Sequence, residues 1–208
     1  MTNIPAMTPE RTHDYLRQVG REWTGRGVAI ELGSWFGATA LPLAQGLVEA
    51  GYDRPLYCYD RWKANEPEVK KAKDQGVKIS VGQNLEPLFL ANVLPVYPNI
   101  KTIRGSIINT LRWRNKPIEI CILDAAKRNP AFAYVIRQLS PHWIPGVTIL
   151  GLLDYYFYKH CTGQKREACM IQERFINENK RSFVLIKTWP KCTNVFFRYE
   201  GGRLKIPK

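Results

Sequence analysis

Cross-links and metal clips are the first things this 208-residue chain lacks. Its five cysteines, Cys58, Cys121, Cys161, Cys169 and Cys192, are odd in number, scattered, and form no C-x-x-C pair. That excludes a disulfide framework or a zinc-ribbon site and points to reduced thiols in a cytoplasmic protein. The three histidines, His13, His142 and His160, share no metal-ligand spacing. No apolar run reaches the ~18 residues of a membrane span, and Met1–Glu10 lacks the basic-then-apolar pattern of a secretory signal. Repeats, low-complexity tracts and linkers are also missing, so a single domain over residues 1–208 is expected. Acid is scarce: 18 Asp and Glu stand against 31 Lys and Arg, a net charge of +13. Such an excess suits polyanions, phosphorylated substrates or anionic membrane surfaces, or serves solubility alone. What is abundant is core material, 45% hydrophobic and 12% aromatic residues, which excludes a disordered chain.

The stretch that organises the rest is Val28-Ala-Ile-Glu31-Leu-Gly33-Ser34-Trp35-Phe-Gly37, followed by a helical pattern to Glu49. A short apolar run ending in an acid, then a glycine loop, then a helix reads as a buried strand turning sharply into a helix. Glycine there lets the backbone approach a ligand, or simply reverses the chain. Before it, Thr8-Pro9-Glu10 predicts a capped helix within residues 1–27, with Tyr15, Val19 and Trp23 as its apolar stripe. After it, an α/β core is expected over residues 28–199. Strands are predicted at 55–59, 100–104, 118–123 and 147–153, with helices at 85–93, 132–139 and 165–179. Two final strands at 183–189 and 194–199 are expected to be antiparallel neighbours. Residues 61–82, polar and lysine-rich, read as a cover over a site or as a solvated connection.

Strands alternating with helices predict a doubly wound α/β fold: a seven-stranded, mostly parallel sheet with an antiparallel C-terminal strand and helices on both faces. Asp60, Asp124 and Asp154 then fall at carboxyl ends of strands, where open α/β sheets bind ligands. Each alone is equally readable as a helix cap.

This constellation resembles the class I S-adenosylmethionine-dependent methyltransferases, over most of the chain from Val28 to Tyr199, and so implies a Rossmann-like fold. The resemblance implies that Glu31, Gly33, Ser34, Trp35 and Gly37 form the cofactor loop and that Asp60 binds the ribose hydroxyls. An acid suits that task because it accepts two hydrogen bonds at once. Arg61 and Trp62 follow it as an acid-plus-aromatic turn, with the indole placed to stack on adenine. Ser106 lies where the family contacts adenine, although many members carry an acid there. A dinucleotide-binding domain is the other fold that uses such an acid, but Glu31-x-Gly33-x-x-x-Gly37 is not its G-x-G-x-x-G fingerprint.

Asp124-Ala-Ala-Lys127 resembles the D-x-x-K segment of catechol and caffeoyl-coenzyme A O-methyltransferases. That likeness implies Asp124 as a ligand of a divalent metal such as Mg2+ and Lys127 as a base toward the substrate hydroxyl. Asp154 is the candidate second ligand, although relatives follow that acid with Asn or Asp where this chain has Tyr155. The plain alternative for Lys127 is an ion pair with Asp124. Asp124-Ala-Ala-Lys127, Trp143-Ile-Pro-Gly146 and Leu153-Asp154-Tyr155 are also similar to bacterial sugar- and macrolide-modifying O-methyltransferases. His160 is a further candidate base, or a plain loop residue, beside the aromatic run Tyr155–Tyr158. The basic segments at 63–78, 112–114 and 159–166 form a candidate phosphate-binding rim. The expected activity is methyl transfer to a hydroxyl of a small-molecule or saccharide acceptor, phosphorylated or otherwise anionic in one version, by a chain that can act as a homodimer. The alternatives are a noncatalytic module that binds an anionic partner and an RNA methyltransferase. The latter is disfavoured because no N-P-P-Y-type segment follows the fourth strand.

Overall fold

The computed structural model describes residues 4–114 and 116–207. The first three residues of the Met1–Glu10 stretch lie outside the described residues. Seven strands are formed: β1 (Val28–Leu32), β2 (Leu56–Asp60), β3 (Ile100–Arg104), β4 (Ile118–Leu123), β5 (Ile149–Leu152), β6 (Phe183–Thr188) and β7 (Val195–Tyr199). They make one sheet in the order β3-β2-β1-β4-β5-β7-β6. β2 with β3, β1 with β4 and β4 with β5 are parallel, while β7 runs antiparallel to both β5 and β6. The helices are α1 (Glu10–Arg21), α2 (Ala40–Glu49), α3 (Glu66–Lys73), α4 (Glu86–Val93), α5 (Ile107–Thr110), α6 (Ala131–Leu139), α7 (Gly163–Cys169) and α8 (Ile171–Glu178). Among the described residues no helix is long and apolar enough to cross a membrane. The chain clusters into two compact units, Met1–Trp23 with Gly33–Ser106, and Thr24–Leu32 with Ile107–Lys208.

In the first unit α1 lies on α2 at glycine contacts. A Cβ on Gly46 would sit 2.0 Å from the Arg17 carbonyl oxygen, and one on Gly20 would sit 2.5 Å from that of Leu43. The buried face of α1 is Thr12, Leu16, Val19 and Gly20. The stripe expected from Tyr15, Val19 and Trp23 is therefore rotated, because the glycine contact sets which face turns inward. Tyr15 and Trp23 are only half-buried, and Trp23 packs edge-on against Tyr52 at 4.6 Å. Thr8 does not cap α1: its hydroxyl pairs with His13 Nε2 at 2.7 Å, and Pro9 takes the cap position without a side-chain bond.

Residues 61–82 carry a helix of their own, α3, and several of them line a cleft described below. Asn65 caps α3, accepting from the Glu68 N–H, while the Glu68 carboxylate accepts from the Asn65 N–H. This reciprocal pair satisfies two backbone donors that a helix start otherwise leaves orphaned.

In the second unit β4 is buried along its whole length. Glu119, although on that strand, is 3% exposed. Its carboxylate accepts from the backbone N–H groups of Thr24, Arg26 and Gly27 at 2.5, 2.9 and 2.9 Å. It thereby fixes the entry into β1. The helix expected over 165–179 is broken at Met170, whose ψ of 0° ends α7 before α8 begins. Phe175 packs edge-to-face against Phe132 and against Phe183 at the start of β6, with centroids 5.6 and 5.5 Å apart. Each such buried ring contributes ~1.5–3 kcal/mol by leaving water.

Candidate functional site

In the first unit the loop after β1 is held by Asp60 at the end of β2. One Asp60 carboxylate oxygen accepts from the Trp35 N–H at 3.0 Å and the other from the Trp62 N–H at 2.7 Å. Trp62 Nε1 donates in turn to the Trp35 carbonyl at 2.9 Å. Trp35 and Trp62 have φ of +41° and +42°. That conformation costs a bulky side chain ~1–3 kcal/mol and persists only where neighbours enforce it. One carboxylate thus clamps two strained turns. Each oxygen has a second lone pair, and Asp60 is half-buried, so the clamp still leaves acceptor capacity.

The glycines of this loop do different work from each other. Gly33, φ +94°, donates its N–H to the Tyr59 carbonyl at 2.7 Å. Gly37, φ +91°, is required by α4: a Cβ there would lie 2.7 Å from Val93 Cγ2 and 3.2 Å from Phe89. The close approach at Gly37 is therefore to the protein's own core. Between them, Ser34 Oγ and Trp35 Nε1 are buried polar atoms with no hydrogen-bond partner. Leaving such a group unmatched costs about 1–3 kcal/mol, and native proteins keep few of them.

The Trp62 ring is 1% exposed and lies 5.0 Å from Phe89. Its surface is used in packing, so the stacking role expected for it has no free face here. Arg61 and Ser106 do come together: they line one cleft of about 620 Å3 with Lys63, Asn65, Val81 and Gly105. The Gly105 N–H donates to the Asp60 carbonyl at 2.9 Å, which fixes this wall beside the acid. Arg61 is also 3.7 Å from Glu68.

In the second unit the ends of β1, β4 and β5 stay in register, Leu32 opposite Leu123 and Leu123 opposite Leu152. The Asp124 N–H continues that ladder onto the Leu32 carbonyl at 2.8 Å, and the Leu153 N–H onto that of Leu123 at 3.0 Å. This brings Asp124 and Asp154 together at one edge. Lys127, reached through Ala126 with φ +59°, is ion-paired with Asp154. Its ammonium also lies 5.4 Å from the Phe157 ring centroid.

Burial raises the Asp124 pKa well above the carboxylate range, helped by the Asp154 charge, a hydrogen bond to Asp154 and the Glu31 charge, and opposed by Lys127. For Lys127 burial pulls downward, but the Asp154 and Asp124 charges and the Asp154 hydrogen bond outweigh it, so its pKa is raised. Lys127 therefore stands as an ammonium and not as a free base. Glu31 is fully buried on β1 opposite Ile122, where its charge acts on Asp124.

Asp124 and Asp154 supply two carboxylates to a metal, but Lys127 already occupies Asp154. Among the described residues no group of three or more His, Cys, Asp or Glu is placed to hold a metal ion. Mg2+ is commonly held by one or two carboxylates and water, so a metal bound here would compete with Lys127 for Asp154.

His160 lies elsewhere, exposed at a second cleft of about 550 Å3 lined by Tyr156, Lys159, Trp189, Lys191 and Thr193. In the aromatic run beside it, Tyr155 packs on Phe197 at 5.4 Å, and the Tyr158 hydroxyl donates to Glu173 at 2.8 Å. Only Tyr156 of the four faces this cleft. Trp189 and Lys191 escape a sequence reading focused on the ends of the parallel strands. Their signal is Lys187-Thr-Trp189-Pro-Lys191, where lysines and an aromatic bracket the turn between the last two strands.

No protein-family model matches the chain, and no curated protein matches it in sequence. Solved structures match its fold. The O-methyltransferase NovP is 15% identical with a TM-score of 0.67, covering 96% of this chain and 84% of its own. CalS11, a TDP-rhamnose 3'-O-methyltransferase of calicheamicin biosynthesis, is 15% identical with a TM-score of 0.57, covering 92% and 78%. The Podospora anserina methyltransferase PaMTH1, solved with S-adenosylhomocysteine bound, is 13% identical with a TM-score of 0.59, covering 94% and 80%. The fold of this chain is thus the one those methyltransferases share.

Proposed function

We propose that this protein is an S-adenosylmethionine-dependent methyltransferase that methylates a hydroxyl of a small-molecule or saccharide acceptor. The observation that carries the reading is the Gly33–Gly37 loop: Ser34 Oγ and Trp35 Nε1 are buried without partners, beside a carboxylate clamped at the end of β2. A polar ligand with hydroxyls and charged groups would satisfy all three. The likeness in fold to methyltransferases supports it.

In this reading Asp60 accepts the ribose hydroxyls with its remaining lone pairs. The Gly33–Gly37 loop holds the methionine end, and Arg61 and Ser106 wall the adenine cleft. The bound donor supplies an electrophilic methyl group on a sulfonium. Lys127, kept as an ammonium by Asp154, positions the acceptor oxygen and stabilises negative charge on it as its proton leaves. The Asp124–Asp154 pair receives that proton and passes it to water. An oxygen–carbon bond forms, the carbon–sulfur bond breaks, and the electron pair stays on sulfur.

Isothermal titration of the folded chain with S-adenosylhomocysteine tests this. Binding is expected, and Asp60→Ala should weaken it at least tenfold, since both the acceptor and the loop clamp are lost. Absence of binding to well-folded protein overturns the reading and leaves a noncatalytic module.

A further inference from the structure

The cleft between the β6–β7 turn and the turn after β5 has a composition that the donor-binding residues do not explain. Its two walls are tied: the Tyr156 N–H donates to the Thr193 carbonyl at 3.0 Å, and Thr193 Oγ1 donates to that of Leu153 at 3.1 Å. Lys159 Nζ stands 3.7 Å from the Tyr156 ring centroid. Just outside the lining, Lys187 Nζ stands 5.5 Å from the ring of Trp189. Lys191 is exposed on the turn itself, with φ +56°. None of the residues lining the cleft is acidic.

Two lysines, Lys159 and Lys191, line this concavity with no acid among the lining residues, a setting that favours a bound anion. Lysine binds phosphoryl groups as a point charge, without the fork by which arginine grips carboxylate and phosphate alike. The rings of Tyr156 and Trp189 add apolar wall for a sugar or base. A volume of about 550 Å3 suits a ligand of that size.

We infer that this cleft binds the phosphoryl end of the acceptor, and that the acceptor is a phosphorylated or nucleotide-linked saccharide. The inference rests on the methyltransferase reading for the word acceptor, but the cleft and its ligand chemistry are tested independently. Trp189 places a reporter in the lining.

The experiment titrates pyrophosphate, uridine diphosphate, glucose 1-phosphate, glucose and a single-stranded RNA decamer into the full chain. Calorimetry and tryptophan emission are the readouts, with Trp189→Phe as the emission control. Pyrophosphate and at least one phosphorylated ring compound are expected to bind, the ring compound roughly tenfold more tightly, and glucose not to bind. Preference for uridine diphosphate marks a nucleotide-linked acceptor, and preference for glucose 1-phosphate a sugar phosphate. Lys159→Gln with Lys191→Asn should weaken pyrophosphate at least tenfold; asparagine tolerates the left-handed turn. Lys159→Arg with Lys191→Arg should restore most of the binding, and neither pair should change S-adenosylhomocysteine affinity. Pyrophosphate that does not bind, or binds equally to the Gln/Asn variant, overturns the inference. So does RNA that outcompetes every small ligand. Phosphoryl binding without S-adenosylhomocysteine binding keeps the cleft and removes the methyltransferase; the reverse keeps the methyltransferase and removes this acceptor class.

Discussion

Lys127 is ion-paired with Asp154, the acid beyond the end of β5, whereas Asp124 acts on it through its charge. Reach decides this. The left-handed residue Ala126 turns the chain, and the lysine stem extends over Phe157 toward the next strand end. The arrangement favours a role for Lys127 as a fixed cation over a role as a base.

Removing that cation should separate activity from stability. Lys127→Met is expected to lower methyl transfer by about 10²–10³-fold and to leave S-adenosylhomocysteine affinity unchanged. The Lys127 side chain is 40% exposed, so water screens the pair and the stability change should stay within ~1 kcal/mol. Steady-state kinetics, calorimetry and urea unfolding together check this.

Asp124 predicts a pH dependence. Its folded pKa is raised above its unfolded value, so it contributes stability that is present below the ordinary carboxylate pKa. That contribution is lost as pH rises through the folded pKa. The wild-type melting temperature should therefore carry a falling component from acid toward neutral pH. Asp124→Asn, neutral throughout, should flatten that component and match or exceed the wild type at pH 8. Melting curves from pH 5 to 8 decide the point; an unchanged slope in the variant counts against it.

Glu119 should be among the costlier residues to lose. Glu119→Ala removes the shared acceptor of three backbone N–H groups and is expected to cost about 3 kcal/mol. Hydrogen exchange should show Thr24, Arg26 and Gly27 losing protection ahead of the rest of the second unit.

The α1–α2 contact makes a steric prediction. Gly46→Ala places a methyl group 2.0 Å from the Arg17 carbonyl oxygen, a backbone atom that cannot swing aside. A loss of about 3 kcal/mol is expected, read as a lower urea midpoint, while Val48→Ala on the exposed side of α2 should be near neutral.

Much was legible in the sequence because it was local. Continuous apolar runs at Val28–Leu32 and Ile118–Leu123 cannot be half-exposed, so they read as buried strands. Glycines and acids at their ends read as turns at a ligand-binding edge. Strand and helix alternation then dictated a mostly parallel sheet, and the two apolar runs at the end dictated its antiparallel finish. Tertiary structure alone decided which partners those residues take. Gly37 answers to Val93, Trp62 to Phe89, Lys127 to Asp154 and Glu119 to three amides. Each pairing joins segments far apart in the chain or turned through a left-handed residue, and spacing along one segment carries no information about what another segment brings to meet it.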